Sequence, residues 1–334
     1  MTIRELDNGK NLNIQFTRFI AAWLVIFSHA YSLSIADDSV EPGKMFSGGQ
    51  IYVGSISVII FFLIGGYYIS KSAERLKEAK SFFIARFKKL WPPLFAVTLV
   101  SIFVCGFIST YSLSGYYTNV QTYKYLLNAC FVPVHNLPGV FENNIYESAV
   151  NGALWTMLVE AVCYIVCFIF YKLGLLSKKW FKITIIPAVL LAGAMIIFEE
   201  RFAPYHVALR ACLSFYIGMG IYVYRDKIKI NKLAGFICLG LFILMVGIHQ
   251  SDIGIYLFLP YGLLVLWYGM KQVGKTLGYL GNLSYGMYLV AFPVQQTITY
   301  FFGGSMNPYI NLGLASLISI ILGYIIYNLI EKRV

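Results

Sequence analysis

Ile14-Gln15-Phe16-Thr17-Arg18-Phe19-Ile20-Ala21-Ala22-Trp23-Leu24-Val25-Ile26-Phe27-Ser28-His29-Ala30-Tyr31 is the stretch on which the reading of the whole chain turns. It is long and apolar enough to cross a bilayer as a helix, yet it carries an Arg and a His. Ionisable side chains at membrane depth are costly, so their presence points to function. Arg18 and His29 are 11 residues apart. At about 100° per residue, that spacing returns to within roughly 20° of the start and rises about 16 Å. One helix face therefore presents a fixed cation near one end and a titratable imidazole deeper in.

The rest of the composition agrees with a membrane setting. Of 334 residues, 59% are hydrophobic and 12% charged, where soluble domains carry about 25% charge. The expected fold is an all-α integral membrane protein, a single bundle of about ten transmembrane helices. They are read at roughly 14–35, 50–71, 90–110, 151–173, 180–198, 205–224, 233–249, 253–270, 280–303 and 308–330, each near the ~20 residues a span needs. One polytopic domain is expected over 1–334, since no polar stretch is long enough to fold alone and no signal-peptide cleavage site is evident. The net charge of +11 would suggest nucleic acid in a soluble protein. Here the basic residues fall in short alternate connections, around 71–89, 172–182, 225–232 and 271–275, whereas Asp37, Asp38, Glu41, Glu142, Glu147 and Asp252 lie in the others. That asymmetry places both termini in the cytoplasm and argues against a nucleic-acid partner. The six cysteines lie mostly in spans and lack co-ligands at metal spacing, so neither a disulfide framework nor a metal site is expected.

The longest non-spanning segment, 111–150, is rich in Tyr and is expected on the outer side, packed onto the bundle. Within the spans, Glu160 is the one carboxylate well inside an apolar run, and Tyr164 follows it by one turn on the same face. A lone carboxylate in hydrocarbon has to be paired, protonated or facing a wet cavity. Its depth below the outer surface differs from that of His29 by only about 5 Å, so a His–carboxylate pair is one reading. Such a pair activates a hydroxyl, the imidazole taking the proton and the carboxylate holding its tautomer. The alternative is a structural interhelical hydrogen bond. Arg18, with Arg86, Lys88 and Lys89 on the same membrane side, suits anionic groups arriving from the cytosol, or else snorkelling and lipid headgroup contact. Arg210, one turn after His206, suits either core pairing or glycan binding.

Taken together, these motifs resemble the membrane-bound acyltransferase family 3, bacterial enzymes that O-acylate cell-surface glycans. Arg18 and His29 match that family's Arg-ten residues-His spacing, and Phe61-Phe62-Leu63-Ile64-Gly65-Gly66-Tyr67 is similar to its second-span pattern, with Gly65 in place of Ser. Arg86-Phe87-Lys88-Lys89-Leu90-Trp91-Pro92-Pro93 resembles its basic aromatic-Pro-Pro segment, with Lys89 where a second Arg is common. Trp155 and Glu160 match its Trp-four residues-Glu; Arg210 with Phe215 and Gly218, and 280–289, are also similar. The chain stops at Val334, so the extra soluble domain of some members is not expected. The resemblance implies transfer of an acyl group, acetyl above all, from cytoplasmic acyl-CoA to a hydroxyl of a surface polysaccharide or its lipid-linked precursor, such as O-antigen, capsule or exopolysaccharide. It implies a multi-pass protein of the bacterial inner membrane, with acetyl-CoA as co-substrate. His29 and Glu160 are then the expected catalytic residues; Arg18, Arg86, Lys88 and Lys89 the expected donor ligands; and Arg210, Trp155 and Tyr164 the expected acceptor contacts. A transporter of a lipid-linked glycan or organic anion would also need intramembrane His, Glu and Arg, but would tend to show inverted repeats, and none is evident.

Overall fold

The computed structural model describes residues 1–333, with Glu199 and Pro204 described by their backbone alone; Val334 lies outside the described residues. The main helices are α1 (Leu12–Ile35), α2 (Val53–Leu76), α3 (Ala79–Cys105), α4 (Trp155–Lys172), α5 (Lys178–Ile197), α6 (His206–Val223), α7 (Lys232–Gly247), α8 (Ser251–Gly269, two of its turns π-helical), α9 (Ser284–Phe301) and α10 (Pro308–Leu329). Each expected span is thus a helix. Eight of them, all but α7 and α9, are long and apolar enough to cross a membrane. There is no β-strand among the described residues, only two isolated bridges.

One boundary differs from expectation. The basic 71–89 connection, whose pattern fits one cytoplasmic amphipathic helix entering the third span at Trp91-Pro92-Pro93, is shared between two helices. α2 runs on through Lys71 and Arg75, Lys77 breaks the chain at φ 60°, and α3 then takes residues 80–89 into one helix with the third span. Pro92 and Pro93 lie inside α3 without ending it. Having no N–H, they cannot donate to the carbonyls four residues earlier as the other residues of a helix do.

The outer surface of the helices shows which solvent they need. Only 11% of the apolar window of α5 is buried, and Ile186, Val189 and Leu190 are more than 60% exposed. So large an apolar face is stable against lipid, not water.

The chain sorts into two compact units. The first comprises Met1–Arg18, Pro42–Phe82 and Val159–Gly281, and the second Phe19–Glu41, Phe83–Leu158 and Asn282–Val334. In the first, α2 and α6 meet through glycine. A Cβ on Gly66 would lie 2.0 Å from the Phe215 carbonyl, and one on Gly218 2.2 Å from the Leu63 carbonyl. Backbones can approach this closely only where side chains are absent, the usual device of membrane helix pairs. α7 and α8 use Gly235 and Gly262 in the same way, against Val265 and Leu239. In the second unit, α9 and α10 close up at Gly286 and Gly323. Its long connection folds as two short helices, Leu113–Thr118 and Val120–Lys124, followed by a 3₁₀ turn. Tyr116 and Tyr125 are fully buried there against Leu137, Val140, Phe141 and Val150. Burial pushes both phenols above the ordinary tyrosine range. The Tyr-rich segment is therefore packed structure, as its apolar content required.

Candidate functional site

His29 belongs to the second unit. Its ring packs edge-on against Phe292 of α9, centroids 5.3 Å apart at 77°. Its Nδ1 is shielded and has no hydrogen-bond partner among the described residues. The stretch of α1 around it is held by side chains that sequence reasoning passed over. Gln295 Nε2 donates to the Ile26 carbonyl at 2.9 Å, and Thr299 Oγ1 donates to the Leu33 carbonyl at 3.1 Å. Asn311 of α10 completes the group, donating to Thr299 Oγ1 at 3.0 Å and accepting from Gln295 Nε2 at 3.0 Å. All three are fully buried. The signal that could have found them was amide side chains inside apolar spans, where each polar group needs a partner. Beside His29, Ser28 Oγ donates to Glu41 at 3.3 Å. Glu41 is fully buried, although it lies outside any apolar run.

A cavity of about 520 Å³ lies in the same unit, lined by His135, Asn136, Ile145, Tyr146, Glu147 and Gly152 among others. Its walls are fastened to α9. Gln296 Nε2 donates to the carbonyls of Tyr146 (2.8 Å) and Ala149 (2.9 Å), and Asn151 Nδ2 donates to that of Leu289 (2.9 Å). Tyr288 pairs with Thr156 at 2.7 Å, so the start of α4, with Trp155, is anchored too. Phe141 and Ser148 in the same segment hold positive φ of 59° and 60°, conformations that L-residues keep only where the surroundings impose them. The inner wall reaches Phe292: Tyr146 packs edge-on against that ring at 6.0 Å, and a Cβ on Gly152 would lie 2.9 Å from it. Phe292 thus touches both the cavity lining and His29.

Arg86, Lys88 and Lys89 lie on α3 within the second unit. The two lysines are exposed and Arg86 is partly buried. They stand beside an aromatic stack in which Phe87, Trp91 and Phe95 follow one another at 5.1 and 4.8 Å.

The other expected residues fall in the first unit. Arg18 is partly buried, on the same unbroken helix as His29. Glu160 accepts a hydrogen bond from the Tyr164 hydroxyl, the one-turn contact that the spacing implied, and Tyr164 packs near Phe215 at 6.3 Å. Arg210 is buried, and its partners are within the protein: Nε donates to Asp252 at 2.6 Å and a terminal nitrogen to the Gln50 carbonyl at 2.9 Å. Asp252 also meets His206 Nε2 at 3.1 Å. Of the two readings open for Arg210, the contacts are those of core pairing. Asp252 was legible only as an acidic loop residue, because its helix begins at Ser251 and buries it. Asp7 is a further missed carboxylate, meeting Lys71 Nζ at 2.5 Å and the Tyr67 hydroxyl at 2.8 Å. All six cysteines are free thiols, and no three metal-ligating side chains cluster among the described residues.

The known proteins like this one can now be set beside that geometry. A family model described as an acyltransferase domain matches residues 11–328. An O-acetyl transferase of Shigella phage Sf6 is 27% identical over 329 residues, covering 95% of this chain and 93% of that protein. Nodulation protein 10 of Rhizobium leguminosarum bv. viciae is 27% identical over 165 residues, covering 48% of this chain and 44% of that protein. No solved structure matches the chain.

Proposed function

The chain belongs to the membrane acyltransferase 3 family, and we propose that it moves an acetyl group from acetyl-CoA to a hydroxyl of a bacterial surface polysaccharide or its lipid-linked precursor. The name of its phage relative, O-acetyl transferase, supports the group and the bond formed. The observation that carries the reading is His29, which packs against Phe292 with a shielded, unpartnered ring nitrogen, Phe292 in turn touching residues that line a polar cavity. A shielded ring nitrogen without a partner costs stability, and an ionisable group kept in a span at such cost points to function.

The termini are cytoplasmic in this reading, as the basic connections require, and the cavity opens to the outer side. Arg86, Lys88, Lys89 and Arg18 are each assigned to the phosphates of the donor, Arg by forked hydrogen bonds and Lys as point charges. The acceptor hydroxyl gives its proton to the imidazole of His29. The hydroxyl oxygen attacks the acetyl carbonyl carbon, the carbon–sulfur bond breaks, and the leaving thiolate takes the proton back from the imidazolium, which returns His29 to its neutral form. The products are an acetate ester and CoA thiol. Glu160 with Tyr164 is assigned to the proton-handling set, and Trp155 to acceptor contact. Arg210 is assigned to structure, since its Nε and one terminal nitrogen are already engaged within the protein.

Mass spectrometry of surface glycan, with and without the gene, tests the reading directly by reporting acyl group and sugar position together. His29→Ala is expected to abolish the acetyl mark while the protein still inserts at normal level. An unchanged mark in that variant would overturn the assignment.

A further inference from the structure

The cavity beside Phe292 has a chemistry of its own. Its volume of about 520 Å³ falls within the ~300–1,000 Å³ typical of small-molecule sites. Tyr146 is 40% exposed and offers an aromatic face. Glu147 and Asn136 are exposed beside it, and His135 is partly exposed with Nδ1 held at 3.1 Å from the Asn151 carbonyl. A carboxylate offers only acceptors, while an amide offers both donors and acceptors. An apolar face beside such groups suits a ring that is flat on one side and carries hydroxyls around its edge. The residues lining the cavity include Glu147 but no Lys or Arg, which disfavours an acidic ring by like-charge repulsion.

The second observation is the sequence of contacts inward. Tyr146 and Gly152, which line the cavity, both touch Phe292, and so does His29. Phe292 is only 4% exposed. Phe292 is thus a shared neighbour of the cavity lining and the imidazole, and a path along these contacts runs through its ring. Aromatic rings turn about two side-chain torsions, so displacement requires no backbone change.

We propose that this cavity receives a neutral sugar ring of the acceptor and that Phe292 is the gate between that ring and His29. The proposal rests on the acyltransfer reading for its purpose. Its test does not, because it reads histidine reactivity in the full-length protein in detergent and not product. Carbethoxylation by diethyl pyrocarbonate is followed peptide by peptide. His135 reports occupancy of the cavity and His29 reports the gate.

In the wild type, His29 is expected to react at least tenfold more slowly than His135. Phe292→Ala should raise the His29 rate about tenfold and leave His135 within twofold. Phe292→Leu, which keeps most of the volume, should stay near wild type and guards against misfolding as the cause. Among methyl glycosides of glucose, galactose, mannose and rhamnose at 100 mM, at least one should slow His135 labelling fivefold or more; methyl glucuronide should not, and Glu147→Gln should narrow that difference. A His29 rate unchanged in Phe292→Ala, or equal to that of His135 in the wild type, overturns the gate. Protection by none of the neutral sugars, or equal protection by the glucuronide, overturns the sugar site. Loss of the acyltransfer reading would instead appear as an unchanged glycan in His29→Ala, whatever the labelling shows.

Discussion

Gln295 and Asn311 bond to each other twice: Gln295 Nε2 donates to Asn311 Oδ1 at 3.0 Å, and Asn311 Nδ2 donates to the Gln295 carbonyl at 3.2 Å. The same Gln295 nitrogen holds the Ile26 carbonyl of α1, so the pair ties three helices together within one turn of His29. Leaving a buried partner unsatisfied costs about 1–3 kcal/mol. Gln295→Leu is therefore expected to destabilise the protein by about that much and to lower acyltransfer at least tenfold. Asn311→Leu should do the same, and the double variant should cost less than the sum, since the two residues share bonds. Thermal unfolding in detergent, with glycan acetylation measured in parallel, checks all three. Strict additivity would show that the two amides act independently.

Arg210 and Asp252 form a buried pair, supported by His206 and the Gln50 carbonyl. Removing one partner of such a pair costs about 3–5 kcal/mol, because it strands a buried charge. Asp252→Asn should lower the unfolding temperature clearly, whereas Arg210→Met with Asp252→Leu should recover much of the loss. Wild-type stability in Asp252→Asn, together with loss of acceptor binding in Arg210→Lys, would return Arg210 to the role of a glycan ligand.

Glycines give a sharper contrast. A methyl on Gly218 meets a carbonyl of α2 at 2.2 Å, whereas a Cβ on Gly193 in α5 meets nothing within 4 Å. Gly218→Ala should sharply reduce the yield of folded protein, because two backbones would have to separate. Gly193→Ala should be neutral or stabilise by up to about 1 kcal/mol, through helix propensity alone. Size-exclusion profiles and unfolding curves of the two variants decide the matter; equal behaviour would refute the packing argument.

Lys88 and Lys89 are exposed at the start of the third span. If they attract donor phosphates, Lys88→Gln with Lys89→Gln should raise the KM for acetyl-CoA about tenfold at low salt and leave kcat within twofold. The gap should shrink as added salt screens the charge. A matching loss toward the acceptor would assign both lysines to topology and lipid headgroups.

The helices were legible because an apolar run of about twenty residues has few other ways to satisfy its backbone in lipid. His29 and Glu160 were legible for the complementary reason: an ionisable group in such a run stands out. The same contrast hid Glu41 and Asp252, since acidic residues in polar connections look solvated, and only packing shows both to be buried. Gln295, Thr299 and Asn311 carry no charge and passed as ordinary span residues. The basic 71–89 segment reads as an amphipathic helix entering the third span at Trp91-Pro92-Pro93, and nothing local says that α2 takes its first residues or that α3 runs unbroken through both prolines.

By itself, then, the sequence determined that the protein is helical and membrane-bound, which connections carry the positive charge, and that Arg18 and His29 share one helix; each depends on composition and short-range periodicity. Tertiary structure alone decided that Arg210 is engaged by Asp252, that Phe292 stands against His29, and that residues between 135 and 152 gather around an open cavity whose lining touches Phe292. Those are contacts between side chains far apart along the chain. They depend on which helix faces meet, and no local pattern carries that information.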